Sequence, residues 1–301
     1  MSSSKPPDTS KPGRVSARKP SNGWVDSTPD SRRSNLIRVA GLAAVMSLFR
    51  HEPQRIVRLF YEGRRAKDVG PVCAHLAQSR KPYRQMDGDE LAKIAGTVLH
   101  GGVVAVAEPK PEHRFTTTTA KRLAEQGQHL FVVDGIGNPH NLGAIARSLA
   151  FFGFRHLILS DHPDQAGVSD AAYRIAEGGL DCLTLYRATS LPAILTSLRS
   201  DYRIIGTALC SRGISLQHLK PDPRPCLTIL GNEEVGLSRA TLDACEVILT
   251  LAGEGGVQSL NVAATAAILA HAFQPKNARR GEKVKKDPLR ARVKHEGGAR
   301  H

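Results

Sequence analysis

Apolar residues recur at helical spacing across Gly41–Phe49 and then crowd into a short run, Ile56–Tyr61, that reads as a strand. Val72–Gln78 has a helical rhythm again, Tyr83–Met86 fits a short strand, Asp87–Ala95 a helix, and Val103–Ala107 a buried strand. This alternation predicts a small α/β domain, assigned to residues 35–110. Pro109-Lys110-Pro111 and the threonines Thr116–Thr119 then interrupt the periodicity, so residues 111–127 are expected to form a linker.

The pattern sharpens over residues 128–275. Short apolar runs stand at Leu130–Val133, His156–Leu159, Ile204–Leu209, Leu227–Leu230 and Val247–Leu251. Helical segments are read at Leu142–Phe152 and at an Ala-rich stretch, Leu260–Phe273. Runs that are apolar throughout, rather than alternating, predict strands of a parallel sheet covered on both faces. In such sheets ligands bind outside the carboxyl ends of the strands. The loops at those ends are therefore the place to look for chemistry.

Composition adds a partner class. The chain of 301 residues carries 42 Lys and Arg against 28 Asp and Glu, a formal charge of +14. Such a surplus favours a polyanion, because each neutralised phosphate releases counterions. Residues 1–34 and 276–301 are basic and lack apolar periodicity, and both are expected to be disordered tails. The five cysteines (Cys73, Cys182, Cys210, Cys226 and Cys245) form no Cys-x-x-Cys pair, and the N-terminus shows no apolar leader. A cytoplasmic protein is expected. No apolar stretch approaches the roughly 20 residues of a membrane span, and no His/Cys cluster has zinc-like spacing. Neither a membrane nor a metal is expected.

Three strand-end segments hold the candidate site. In Asn138-Pro-His-Asn-Leu-Gly-Ala-Ile-Ala-Arg147, Asn141 is placed to cap a helix and Gly143 permits close backbone approach. Arg147 then points its guanidinium back toward the helix N-terminus, where phosphates bind well. In Leu230-Gly-Asn-Glu-Glu-Val-Gly-Leu-Ser238, two glycines bracket adjacent carboxylates after a buried strand, and Ser238 can cap the next helix. In Ala252-Gly-Glu-Gly-Gly-Val-Gln-Ser-Leu-Asn-Val262, Asn261 stands at a helix entrance behind a glycine-rich loop. Alone, the first segment reads equally as an ordinary capped helix, the second reads better as a polar turn with solvated acids, and the third also fits a flexible connector. Gly253–Gly256 does not fit the Gly-x-Gly-x-x-Gly dinucleotide fingerprint, which weighs against a nicotinamide-dependent oxidoreductase.

Taken together and in this order, the segments resemble the SpoU (TrmH-type) family of the SPOUT methyltransferases. The matching residues are Asn141-Leu-Gly143-Ala-Ile-Ala-Arg147, Gly231-Asn-Glu233-Glu-Val-Gly236-Leu-Ser238 and Ser259-Leu-Asn261-Val262. The resemblance covers about His129 to Phe273, and Arg38–Glu108 is similar to the family's small N-terminal substrate-binding domain. It implies an α/β SPOUT domain whose C-terminal segment is threaded into a deep trefoil knot, against the general rarity of knotted chains.

The resemblance further implies an S-adenosylmethionine-dependent methyltransferase acting on a ribose 2′-OH of ribosomal or transfer RNA, working as a homodimer. Arg147, Asn141, Glu233 and Asn261 would be its catalytic residues. Thr207, Gly231, Leu251 and Leu260 would contact the cofactor, and Ser259 the substrate. Arg147 stays protonated at neutral pH, so its implied role is to bind phosphate and stabilise the developing alkoxide rather than to act as a base. A second reading keeps the fold without catalysis, as an RNA-binding or ribosome-assembly protein.

Overall fold

The computed structural model describes residues 36–210, 212–251, 253 and 255–275. The two expected basic tails lie outside the described residues. The first elements are β1 (Ile37–Ala40), α1 (Leu42–His51), β2 (Ile56–Tyr61), α2 (Ala66–Gln78), β3 (Tyr83–Gln85), α3 (Gly88–Ala95) and β4 (Val103–Ala107). They build a four-stranded sheet in the order β1-β4-β2-β3. In it β4 runs antiparallel to both β1 and β2, and β3 is parallel to β2. Local chemistry sets the boundaries. Asp87 accepts the Glu90 N–H at 2.8 Å and opens α3, and Gly96 closes it in the left-handed conformation. Strand β1 was not among the predicted elements, because it spans only four residues and Arg38 interrupts its apolar run.

The remaining elements are β5 (Glu112–Arg114), α4 (Thr117–Glu125), β6 (Leu130–Asp134), α5 (Pro139–Phe151), β7 (His156–Leu159), α6 (Asp170–Ala176), β8 (Thr184–Arg187), α7 (Leu191–Ser197), β9 (Arg203–Thr207), β10 (Cys226–Gly231), α8 (Arg239–Ala244), β11 (Val247–Leu249) and α9 (Val262–Ala272). Their seven strands form one sheet in the order β11-β9-β10-β6-β7-β8-β5, with every neighbouring pair parallel. Strands β6 and β10 are buried at every position, which is what a central strand covered on both faces requires. Two apolar clusters fill the two sides of the sheet, one around Phe131, Val133 and Leu230, the other around Leu130, Val132 and Ile229.

The segment expected to be a linker departs from that reading. Residues 111–127 contain β5, the edge strand of the large sheet, and α4. The four threonines are a helix start: Thr116 Oγ1 accepts the Thr119 N–H at 3.1 Å. Polar β5 lies on a sheet edge, where apolar patterning is not needed, so periodicity could not reveal it.

The small sheet packs on its own chain's large sheet through a seam of charge. Arg55 is 4% exposed and donates twice to the Glu108 carbonyl, at 3.0 and 2.9 Å. It also donates to the Tyr173 hydroxyl at 2.8 Å and meets Asp181 Oδ1 at 3.4 Å and the Glu52 carboxylate. Lys110 Nζ closes the group on Glu52 Oε1 at 2.8 Å. Nearby, Ser47 Oγ donates to the Gly178 carbonyl at 2.8 Å. Burial pushes the Asp181 carboxyl up to about 7 despite the opposing Arg55 and Lys110 charges, and its Oδ2 has no partner among the described residues.

Candidate active site

The carboxyl ends of β6, β10 and β11 deliver the three predicted segments to one place. Strand β6 ends at Asp134, paired in register with Gly231 at the end of β10. The first turn beyond β6 differs from expectation. Asn138, not Asn141, caps α5: its Oδ1 accepts the His140 N–H at 2.9 Å, and Pro139 takes the first helical position, where a missing N–H costs nothing. The helix thus begins three residues early and leaves the Asn141 side chain free for other work.

That work is a directed chain of hydrogen bonds across all three segments. Asn141 Nδ2 donates to Glu233 Oε1 at 2.6 Å, and Asn261 Nδ2 donates to Asn141 Oδ1 at 3.1 Å. Asn261 Oδ1 in turn accepts the Ala263 N–H at 2.8 Å and caps α9. A carboxylate only accepts, so Asn141 must present its amide nitrogen to Glu233 and its oxygen to Asn261. The Ala263 backbone sets the same direction from the other end. Two fixed ends leave one orientation for each amide.

Neighbouring groups stiffen the loops. Asn232 Oδ1 accepts the Glu234 and Val235 N–H groups at 2.8 and 3.0 Å, while its Nδ2 donates to the Gly135 carbonyl at 2.7 Å. Gln165 Oε1 accepts from Gly135 and Ile136, both at 3.1 Å. Gly231 has no room for a side chain, since a methyl there would sit 2.7 Å from the Gly236 carbonyl carbon. Ser238 caps α8 as expected, accepting the Thr241 N–H at 3.1 Å. Asn232 and Gln165 were missed by sequence reasoning, because neither stands at a distinctive spacing.

The other predicted residues are placed as follows. Thr207 ends β9, pairs with Leu249 of β11, and donates through Oγ1 to the Ile229 carbonyl at 3.0 Å. Thr207, Gly231 and half-buried Leu251 thus stand at or just past the ends of three adjacent strands. Ser259 and Leu260 are exposed on the loop before α9, adjoining Asn261 in sequence. Gly143 does allow close approach, but to α6 rather than to a ligand: a methyl there would lie 2.4 Å from the Ala172 carbonyl oxygen. Arg147 is exposed, and its Nη2 meets Glu177 Oε2 at 2.9 Å. Among the described residues no hydrogen bond joins it to Asn141. The structure therefore brings together Asn141, Glu233 and Asn261, and holds Arg147 two turns along α5.

Large apolar side chains stand exposed on the loops that follow β9, β10 and β11: Leu209, Val235, Val257 and Leu260, each more than half exposed. Val235 follows the same strand end as Glu233, and Val257 and Leu260 follow the same one as Asn261. Among the described residues no three His, Cys, Asp or Glu side chains gather as a metal site, and no helix is long and apolar enough to cross a membrane.

Comparison with known proteins decides the family. Residues 128–271 match the model of the SpoU rRNA Methylase family, and residues 38–113 match that of the RNA 2′-O ribose methyltransferase substrate-binding domain. The chain belongs to the SpoU methyltransferase family. It is 29% identical over 239 residues to an uncharacterized tRNA/rRNA methyltransferase of Haemophilus influenzae, covering 79% of this chain but only 66% of that relative. It is 28% identical over 253 residues to the 23S rRNA (guanosine-2′-O-)-methyltransferase RlmB of Nitrosomonas europaea, covering 81% of this chain and 93% of the relative. Among solved structures, the fold matches an AdoMet-bound rRNA methyltransferase from Sinorhizobium meliloti at TM-score 0.65 and 18% identity, covering 82% of this chain and 88% of that one. It also matches the SpoU methyltransferase AviRb from Streptomyces viridochromogenes with AdoMet, at TM-score 0.62 and 22% identity, covering 82% and 91%.

Proposed function

We propose that this SpoU protein transfers a methyl group from S-adenosylmethionine to a ribose 2′-OH of RNA, with ribosomal RNA the favoured substrate. The observation that carries this reading is the Asn141–Glu233–Asn261 chain, which unites the three family segments at the strand ends. The relatives named as 23S rRNA methyltransferases support the ribosomal assignment. Thr207, Gly231, Leu251 and Leu260 form the cofactor side, next to the exposed apolar residues that suit an adenosine and its aliphatic chain. The cofactor supplies a methyl group already activated on a sulfonium.

The protein's own residues do the rest. Asn141, held from both sides, orients the ribose at the helix entrance. Glu233 keeps Asn141 in its one orientation, and Asn261 ties that orientation to the start of α9. Arg147 binds the adjacent phosphate and stabilises the alkoxide that develops as the 2′-OH loses its proton. Ser259, on the exposed loop before Asn261, contacts the RNA. No metal is part of this reading.

Two structural expectations belong to the same proposal. The trefoil knot is supported by two bonds that tie the segment after β11 to the stretch after β9: Thr250 Oγ1 donates to the Ala208 carbonyl at 2.7 Å, and Thr250 N–H to the Ile214 carbonyl at 2.9 Å. A homodimer through α5 and α9 is supported by α9, apolar nearly all round with Ile268 41% exposed, and by Phe151, 75% exposed on α5. Comparing 2′-O-methylation across the RNA of a deletion strain and its parent tests the function. Loss of methylation at one ribosomal nucleotide is expected. An unchanged map would sink the reading.

A further inference from the structure

Helix α6 ends in Glu177-Gly178-Gly179, and Glu177 takes the left-handed conformation, with φ 44° and ψ 41°. Gly or Asn ordinarily fills such a helix end, and a carboxylate there faces the negative pole of the helix. Backbone and dipole both disfavour Glu at this position. Unfavourable local choices of this kind concentrate at functional sites.

The loop that carries Glu177 is clamped against the Arg147 turn. A methyl at Gly179 would lie 2.7 Å from Arg147 Cα, and one at Gly178 would lie 2.4 Å from Ser47 Cβ. The Glu177 carboxylate is thereby delivered to the guanidinium at 2.9 Å, with the two side chains 55% and 52% exposed. An ion pair so open to water is weak and exchangeable. The single contact leaves most of the guanidinium fork, whose shape matches a phosphate, able to bond elsewhere.

We propose that Glu177 stands in for an RNA phosphate at Arg147: it holds the guanidinium in the free protein and gives it up when the phosphate arrives. This rests on Arg147 facing RNA. Glu177 is then a positioning residue that sets how tightly RNA is held, and its charge opposes anions until the exchange occurs. A merely structural Glu would not have this signature, since removing it would weaken the protein and leave RNA affinity alone.

The test is filter binding of an unmodified, in vitro transcribed 23S ribosomal RNA to the full chain. E177Q should bind about two- to fivefold tighter, the range of an exposed ion pair, with a salt dependence steeper by about one phosphate. E177G, which relieves the left-handed strain, should bind tighter as well and unfold at a higher temperature. In an R147A background E177Q should change nothing, because the effect acts through the guanidinium. D243N, which breaks the exposed Arg239–Asp243 pair on α8, is the control for lost charge and should bind as the wild type does. Unchanged or weaker binding by E177Q, or an equal gain in the R147A background or in D243N, overturns the proposal. Methyl transfer by R147A, measured separately, reports on the site reading itself, so the two failures are distinguishable.

Discussion

Asn141 Nδ2 lies 2.6 Å from Glu233 Oε1, a bond between residues 92 positions apart that draws the first turn of α5 onto the loop after β10. Its direction is imposed by the carboxylate, and that direction makes a testable difference. Glu233→Gln keeps the size of the side chain but can present a donor to Asn141, which removes the constraint on the amide. A charge-assisted hydrogen bond contributes about 1.5–3 kcal/mol, so methyl transfer should fall roughly 10- to 100-fold. The pair is exposed, so the melting temperature should hold. A variant as active as the wild type would show that the chain does not orient the ribose.

Gly143 supplies a prediction about packing rather than chemistry. A methyl at this position would sit 2.4 Å from the Ala172 carbonyl oxygen, a backbone atom that cannot swing away. Gly143→Ala should therefore part α5 from α6 and destabilise the fold by about 1–3 kcal/mol, read from urea unfolding. A neutral result would mean that the two helices slide at little cost.

The charged seam makes stability depend on pH. Burial, opposed by Arg55 and Lys110, raises the Asp181 carboxyl to about 7 from an unfolded value of 3.8. Between those values the native state holds a proton that the unfolded chain has released, so stability falls as pH rises from about 4 to 7 and levels off above. Glu52 acts oppositely at lower pH. Burial alone would raise it, but Lys110 and Arg55 prevail and hold it below its usual value of 4.5, so its contribution is lost as pH falls below that value. Asp181→Asn should flatten the fall between pH 5 and 7, an effect on the order of a few kcal/mol. Urea midpoints across that range check this, and an identical slope in the variant would place the titration elsewhere.

Ile268 and Phe151 test the proposed dimer. Both are large, apolar and exposed, on α9 and α5 respectively. Ile268→Lys should shift the sedimentation coefficient from dimer to monomer without changing the far-ultraviolet circular dichroism. A wild-type chain that already sediments as a monomer would remove this part of the account.

The parts of the fold that the pattern revealed are those where burial dictates residue type. Strands β6, β7, β9, β10 and β11 are apolar because both faces are covered, and each was legible within a few residues. Edge strand β5 and helices α4, α6 and α7 were not, since polar edges and short half-exposed helices leave weak periodicity. The site residues Asn141, Glu233 and Asn261 were legible through the family spacing, but their joining through Asn141 was not. Placing the cap at Asn141 instead of Asn138 hid it, because a capping side chain would have been spent on its own helix. Glu177 carried no signal at all, since its meaning comes from a left-handed backbone that only the structure displays.

Transfer of a methyl group to ribose at this site can be measured outright. Its most direct test is incubation of unmodified ribosomal RNA with tritiated S-adenosylmethionine and either the wild-type chain or Arg147→Ala, followed by digestion to nucleosides. Tritium should appear in a 2′-O-methylated nucleoside with the wild type and fall by at least about 100-fold with the variant, the scale of removing one oxyanion-stabilising group. Equal transfer by both proteins, or label found only on a base, would contradict it.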